Sequence, residues 1–89
     1  MNPLRAELDA LIAEYRRGLE PKIARLHELF AQQRLRDLRR ELHTLAGSAG
    51  TFGLPEVGTA AKAAEAYLEA GGGKELGSLL RKIEELARK

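Results

Sequence analysis

The chain has 89 residues, of which 31% are charged, with no cysteine and a formal net charge of +2. This length allows one small domain over residues 1–89, and the lack of cysteine excludes disulfide bonds and thiolate metal sites. No apolar run approaches the roughly 20 residues that cross a bilayer, and the start has no apolar signal segment, so we expect a cytoplasmic protein without a membrane anchor.

Two helical segments are predicted in the first third of the chain. Asn2 followed by Pro3 is a typical helix start, because asparagine caps well and proline fits the first helical position. One apolar face then follows at helical spacing: Leu4, Leu8, Leu11, Ile12 and Tyr15. Gly18 and Pro21 interrupt it, so Pro21 either restarts a helix or kinks a longer one. A second apolar face continues to about Gln32: Ile23, Leu26, Leu29 and Phe30.

Three further helices are predicted, from about Leu35 to Phe52, from Leu54-Pro55 to the glycines at 71–73, and from about Lys74 onward. Their inner faces are predicted to hold Leu35, Leu38, Leu42, Leu45, Ala49 and Phe52, then Val57, Ala60, Ala61, Ala64, Tyr67 and Leu68, and finally Leu76, Leu79, Leu80, Ile83 and Leu86. No stretch alternates as a strand would. The prediction is an all-α antiparallel four-helix bundle with an additional or kinked N-terminal helix.

One segment of the third predicted helix is unusual in composition. Residues 43–53 read HTLAGSAGTFG, a histidine followed by small residues and glycines. At about 100° per residue, His43 shares one side of the helix with Arg36, Arg39, Arg40, Ala46, Gly47 and Gly50. Glycine inside a helix costs about 1 kcal/mol relative to alanine. Glycines beside one histidine therefore indicate a surface kept bare so that another molecule can approach closely.

This segment resembles the signature of histidine-containing phosphotransfer domains, called Hpt domains, and the surrounding helices fit the same family over nearly the whole chain. The similarity is to the phosphotransfer domain at the front of chemotaxis histidine kinases and to Hpt modules fused to response regulators. It implies that His43 accepts a phosphoryl group and that Gly47 admits the partner. It also implies that Glu65, on the following helix, orients His43 by accepting a hydrogen bond from its Nδ1.

The sequence departs from the family pattern at Ala46, where most members carry a lysine that helps to neutralise the phosphoryl group. Lys62 lies one turn before Glu65 on the same predicted helix. We therefore predict that Lys62, together with Arg39 or Arg40, supplies the missing positive charge. The residues expected to face the partner are Arg39, Arg40, Ala46, Gly47 and Gly50.

The resemblance implies a phosphorelay carrier in two-component signalling and not an independent enzyme. Phosphoryl transfer needs an in-line nucleophile and stabilisation of charge on the oxygens. A neutral imidazole held at Nδ1 would attack through Nε2. The sequence has no nucleotide-binding glycine loop and no second carboxylate suited to Mg²⁺, so we expect no cofactor and no metal site of its own. A response-regulator receiver domain would supply the aspartate and the Mg²⁺, and a histidine kinase catalytic domain is the other implied partner.

Two alternatives stay open at this point. The loss of lysine at Ala46 allows an inactive Hpt-like docking adaptor. The turn at residues 50–55 could imitate a helix-turn-helix of a nucleic-acid-binding domain. However, the helix after that turn carries Glu56, Glu65 and Glu69 against one lysine, which disfavours a phosphate backbone, so we predict no nucleic-acid partner. His27 lacks comparable neighbours and is predicted to be a boundary or surface residue. A monomer, or a module of a larger multidomain chain, is expected.

Overall fold

Five helices follow one another in the computed structural model of the protein, which describes residues 3–89. They are α1 (Pro3–Arg17), α2 (Leu19–Ala31), α3 (Leu35–Thr51), α4 (Pro55–Glu69) and α5 (Leu76–Arg88). The all-α prediction is confirmed, since no strand occurs in this part of the chain. The predicted cap Asn2 lies outside the described residues.

The break in the N-terminal helix falls at Gly18, where a bend joins α1 to α2. The Gly18 N–H still donates to the carbonyl oxygens of Glu14 and Tyr15, each at 3.1 Å. Pro21 lies in the first turn of α2, where a backbone N–H would have no partner within the helix. Pro21 is therefore accommodated without disrupting the helix that contains it.

Helices α2 to α5 form the bundle, in which each helix packs against two neighbours in the order α2, α3, α4, α5 and back to α2. Every one of the four contributes buried aliphatic or alanine side chains, and no polar side chain is buried among residues 3–89. The core consists of Leu19, Ile23, Leu26, Leu29, Leu38, Leu42, Leu45, Ala49, Leu54, Val57, Ala61, Ala64, Leu76, Leu80 and Ile83. The predicted four-helix bundle is confirmed.

Some predicted inner positions and one boundary are corrected by the structure. Leu35 was expected inside but is 38% exposed, because the first turn of α3 lies beyond the packed part of the core. Helix α5 begins at Leu76 and not at Lys74, since residues 74 and 75 form a turn. Several other predicted inner residues pack against the core while staying partly exposed: Ala60, Tyr67, Leu68, Leu79 and Leu86. Phe52, also predicted inside, is partly exposed and stacks on Tyr15.

Helix α1 differs from the others because none of its residues is buried. Its last turn is attached to α3 through Tyr15, whose hydroxyl lies 2.6 Å from Ser48 Oγ and whose ring stacks on Phe52 with 4.5 Å between the ring centroids. Helices of 13 to 17 residues span about 20–25 Å, whereas the molecule is 49 Å long, so α1 projects beyond the bundle. Its apolar face stays largely exposed: Leu4 (71%), Leu8 (52%) and Leu11 (53%).

A tight turn returns the chain from α3 into α4. Gly53 adopts a φ of 81°, a left-handed conformation that glycine tolerates best. The Leu54 N–H donates to the Ala49 carbonyl at 2.8 Å and the Gly53 N–H to the Gly50 carbonyl at 3.3 Å, which is the Schellman pattern. Because the turn is this short, α4 runs back antiparallel along α3.

Gly58 allows α3 and α4 to approach closely. A β-carbon at Gly58 would lie 3.1 Å from the carbonyl oxygen of Ala46 and 3.4 Å from the backbone nitrogen of Gly50. Both contacts are with helix backbone, which cannot rotate away as a flexible side chain can. Gly58 is therefore required by packing within the domain.

We predict opposite effects for alanine at two glycines of this region. Gly58→Ala should lower the free energy of unfolding by about 1–2 kcal/mol, because the added methyl group pushes α4 away from α3. Gly47→Ala should raise it by about 0.5–1 kcal/mol, since a β-carbon there meets nothing within 4 Å and alanine favours the helix. Urea unfolding followed by circular dichroism measures both. A Gly58→Ala variant as stable as Gly47→Ala would contradict the close approach.

Candidate functional site

His43 and Glu65 meet across the α3–α4 contact on its exposed side. Nδ1 of His43 lies 2.8 Å from Oε2 of Glu65. The imidazole is 76% exposed, whereas the carboxylate side chain is only 13% exposed. An ionised carboxylate can only accept a hydrogen bond, so Nδ1 carries the proton and donates it. In the neutral ring this leaves the lone pair on Nε2, the nitrogen that is not tethered.

A second pair lies one turn further along the same helix contact. Nη1 of Arg39 donates to Oε1 of Glu69 at 3.3 Å, and both side chains are about half exposed. Arg39 lies one turn before His43 on α3, and Glu69 lies one turn after Glu65 on α4, so both pairs follow the same antiparallel register. Arg39, expected to face a partner, is therefore already engaged by a carboxylate of its own domain.

Lys62 lies on the same side of α4 as Glu65, three residues before it along the helix. It is exposed and forms no ion pair with any residue between 3 and 89. Because α3 and α4 are antiparallel, this turn of α4 lies beside the turn of α3 that follows His43. That turn contains Ala46, which is partly buried where α3 contacts Gly58. The register of the two helices thus sets Lys62 at the level of Ala46, the position that lacks a lysine.

Gly47 and Gly50 are exposed on the turns of α3 that follow His43. A β-carbon at either residue would meet nothing within 4 Å, and neither has a positive φ. Unlike Gly58, these two glycines serve no packing or backbone requirement of the domain. They leave the surface beside His43 free of side chains, as the sequence pattern indicates.

Three other arginines lie in or just before the N-terminal half of α3. Arg40 is exposed one turn before His43, and Arg36 is exposed about one turn before Arg40. Arg34 is bound by Asp37, with 2.6 Å between Nη2 and Oδ2. Arg36 shares the His43 side of the helix, but the family resemblance assigns it no role.

His27 lies on α2, where it faces α5. Its Nε2 is 3.8 Å from Oε1 of Glu84, has no hydrogen-bond partner, and belongs to a partly exposed side chain. The prediction of a boundary residue is confirmed.

Elsewhere among residues 3–89, no three histidine, aspartate or glutamate side chains are grouped so that they could hold a metal ion. No helix of the described chain is long and apolar enough to cross a membrane.

Comparison with protein families decides which family this geometry represents. The family model of the Hpt domain matches residues 6–88, nearly the whole chain. The chain belongs to the Hpt domain family. Hpt domains are phosphocarrier modules of two-component phosphorelays, without a catalytic site of their own, and they interact with response regulators and kinases. Neither curated proteins nor solved structures gave a significant match.

The family assignment confirms the resemblance based on residues 43–53. In this Hpt domain the histidine of that segment is the exposed imidazole bound to Glu65. Gly47 and Ala46, which the resemblance links to it, and Lys62, which we predict to supply the missing charge, lie on the same two helices. Their roles in phosphotransfer remain predictions.

Proposed function

We propose that this Hpt domain accepts a phosphoryl group on Nε2 of His43 and passes it to or from the aspartate of a response-regulator receiver domain. The observation that supports this most directly is the hydrogen bond from His43 Nδ1 to Glu65 at 2.8 Å. It holds the ring by one nitrogen and leaves the other exposed with its lone pair. A side chain that serves only solubility has no need of a nearly buried carboxylate partner.

The transfer follows from this geometry in one in-line step. The Nε2 lone pair attacks the phosphorus of the receiver's aspartyl phosphate, the P–O bond to aspartate breaks, and the carboxylate leaves with the bonding electrons. The ring then carries a positive charge, which the Glu65 carboxylate offsets through the Nδ1–H hydrogen bond. In the reverse direction an aspartate oxygen attacks phosphorus and the N–P bond breaks.

The bare surface beside His43 suits this step. In-line transfer requires the reacting atoms of two folded domains to come within about 3–3.5 Å of each other. Side chains on the turns after His43 would hold the partner's backbone away. Gly47 and Gly50 remove that obstacle, which explains glycines that packing within the domain does not require.

Lys62 is the cation best placed to stabilise the phosphoryl oxygens. It is exposed, unpaired within residues 3–89, and located on the Glu65 side of α4. Arg39 is held by Glu69 at 3.3 Å, so it is less available, and Arg40 remains the second choice. We propose that Lys62 replaces, from the neighbouring helix, the lysine absent at Ala46.

The receiver would bring the groups that this domain is not expected to provide. We propose that it binds the Mg²⁺ and carries the aspartate, and that the Hpt domain works in the cytoplasm as a carrier. This proposal is supported by the phosphocarrier role of the family. We further propose that the domain is a monomer or a module of a larger chain. A histidine kinase catalytic domain is the alternative phosphoryl donor.

A docking adaptor that never accepts phosphate is the second candidate, and Ala46 is the observation that favours it. The two functions differ in chemistry at His43 and not in docking. An adaptor would bind a receiver but form no acid-labile phosphohistidine.

We predict that His43→Gln abolishes label transfer from a radiolabelled phosphorylated receiver, whereas His27→Gln retains it. Glutamine keeps a polar side chain but has no nucleophilic nitrogen. Gel autoradiography before and after acid treatment measures the transfer, because phosphohistidine is acid-labile. Circular dichroism confirms that both variants are folded. Transfer that survives in His43→Gln would remove the proposed function.

Lys62→Ala should shorten the lifetime of the phosphohistidine or slow its formation by about three- to tenfold, the range expected for one partly exposed charge contact. Lys82→Ala is the matched control, because Lys82 is an exposed lysine on α5 without an ion pair among the described residues. Equal lifetimes and rates in the two variants would clear Lys62 of this role.

A further inference from the structure

The arginines in and just before α3 differ in whether a carboxylate already pairs with them. Arg34 is paired with Asp37 and Arg39 with Glu69. Arg36 and Arg40 are exposed, and within residues 3–89 neither forms an ion pair. They lie about two turns and one turn before His43 on its own side of the helix. Two uncompensated cations therefore precede the phosphoryl site along one face.

The carboxylates on the neighbouring side of α4 do not pair with Arg36 or Arg40. Glu65 and Glu69 are the acidic residues that α4 presents next to α3, and each is already bound to a base of α3. The chain as a whole carries only +2. Among the side chains of α3, the uncompensated positive charge is therefore confined to the N-terminal part of the His43 face, while a further free cation, Lys62, lies on α4 at the level of Ala46.

The face on the other side of His43 has the opposite character. Ala46, Gly47 and Gly50 carry no charge and little side chain. From Arg36 to Gly50 the face spans about 21 Å along the helix, close to the width of a standard protein interface. The α3 face around His43 is thus asymmetric: it carries free arginines before the histidine and almost no side chain after it, where Lys62 of α4 lies alongside and is proposed to contact the phosphoryl group.

We propose that this asymmetry orients the partner: a protein domain docks with a cluster of carboxylates over Arg36 and Arg40, while its backbone rests on Gly47 and Gly50. The inference rests on the proposed function, in which that partner is a receiver. Arg36 is a docking residue and not part of the chemistry, because it lies about two helical turns, or roughly 10 Å, from His43 along α3. Its charge accelerates encounter and selects an acidic partner.

A nucleic acid would require a different surface. A phosphate backbone needs a continuous cationic track, whereas the free arginines of α3 are followed by a bare surface, and the adjoining side of α4 carries two glutamates against one lysine, Lys62. A folded partner with one acidic patch matches the positive charge of Arg36 and Arg40, which is confined to one part of α3. Duplex DNA is therefore the competing ligand in the test.

The test compares Arg36→Gln and Arg36→Glu with Arg81→Glu, an exposed arginine on α5, which packs against α2 and α4. Each variant is mixed with a phosphorylated receiver that exchanges phosphoryl groups with the wild type, and the second-order rate constant is measured at several salt concentrations. Phosphoramidate, a small donor that needs no docking, is used in parallel.

We expect Arg36→Glu to slow receiver transfer about three- to tenfold at low salt and Arg36→Gln to have a smaller effect. The difference in rate between each variant and the wild type should shrink at high salt. Phosphoramidate rates should equal those of the wild type.

The other outcomes overturn the inference in distinguishable ways. Equal receiver rates for Arg36→Glu and Arg81→Glu would show that Arg36 does not dock the partner, while leaving the proposed function intact. Slower reaction with phosphoramidate would place Arg36 in the chemistry instead. Salt-dependent binding of duplex DNA that Arg36→Glu removes would identify a nucleic-acid partner. Failure of the wild type to accept phosphate from either donor would remove the proposed function and this inference together.

Discussion

Helices α3 and α4 lie so close together that Gly58 contacts the backbone of the opposite helix, and the site depends on this contact. The glycine turn at Gly53 sets the antiparallel register, and Gly58 sets the separation. With register and separation fixed, His43 falls opposite Glu65 and Arg39 opposite Glu69. A shift of either helix by one residue would break both pairs. The geometry of the histidine is therefore a consequence of how two helices and the short turn between them pack.

The site and the core occupy separate layers of the domain. The core is aliphatic and no polar residue among those described is buried as a whole, so the residues of the site lie outside it. A carrier must be reached by other folded domains, which favours an exposed imidazole on a flat surface over a pocket. Exposure alone would leave the ring free to rotate. The Glu65 carboxylate, 13% exposed, restricts the ring through Nδ1 and leaves Nε2, the nitrogen that we propose to react, untethered.

Local signals in the sequence predicted much of this arrangement. Gly53 and Pro55 mark the α3–α4 turn, and the apolar spacing of Leu38, Leu42 and Leu45 marks the buried side of α3, which places His43 outside. The boundary after α2 was harder to locate. Gln33 occupies the left-handed position of that turn with a φ of 57°, where glycine would be the usual signal.

Other features depend on tertiary structure and could not be read from periodicity. Leu4, Leu8 and Leu11 are spaced as a helix face, but spacing does not reveal that all three side chains stay more than half exposed. The helical periodicity places both Arg36 and Arg39 on the His43 side of α3. Only the register of α4 shows that Glu69 pairs with Arg39 and not with Arg36. The family pattern supplied Glu65 as the partner of His43, because the distance between two helices cannot be derived from either one alone.

The most direct test of the account identifies which nitrogen of which histidine carries phosphorus. The domain is treated with phosphoramidate, and the product is examined by NMR correlations between phosphorus and the imidazole protons and nitrogens. We expect phosphate on Nε2 of His43, because Nδ1 is occupied by Glu65. Phosphate on Nδ1 of His43, or on His27 in its place, would contradict it.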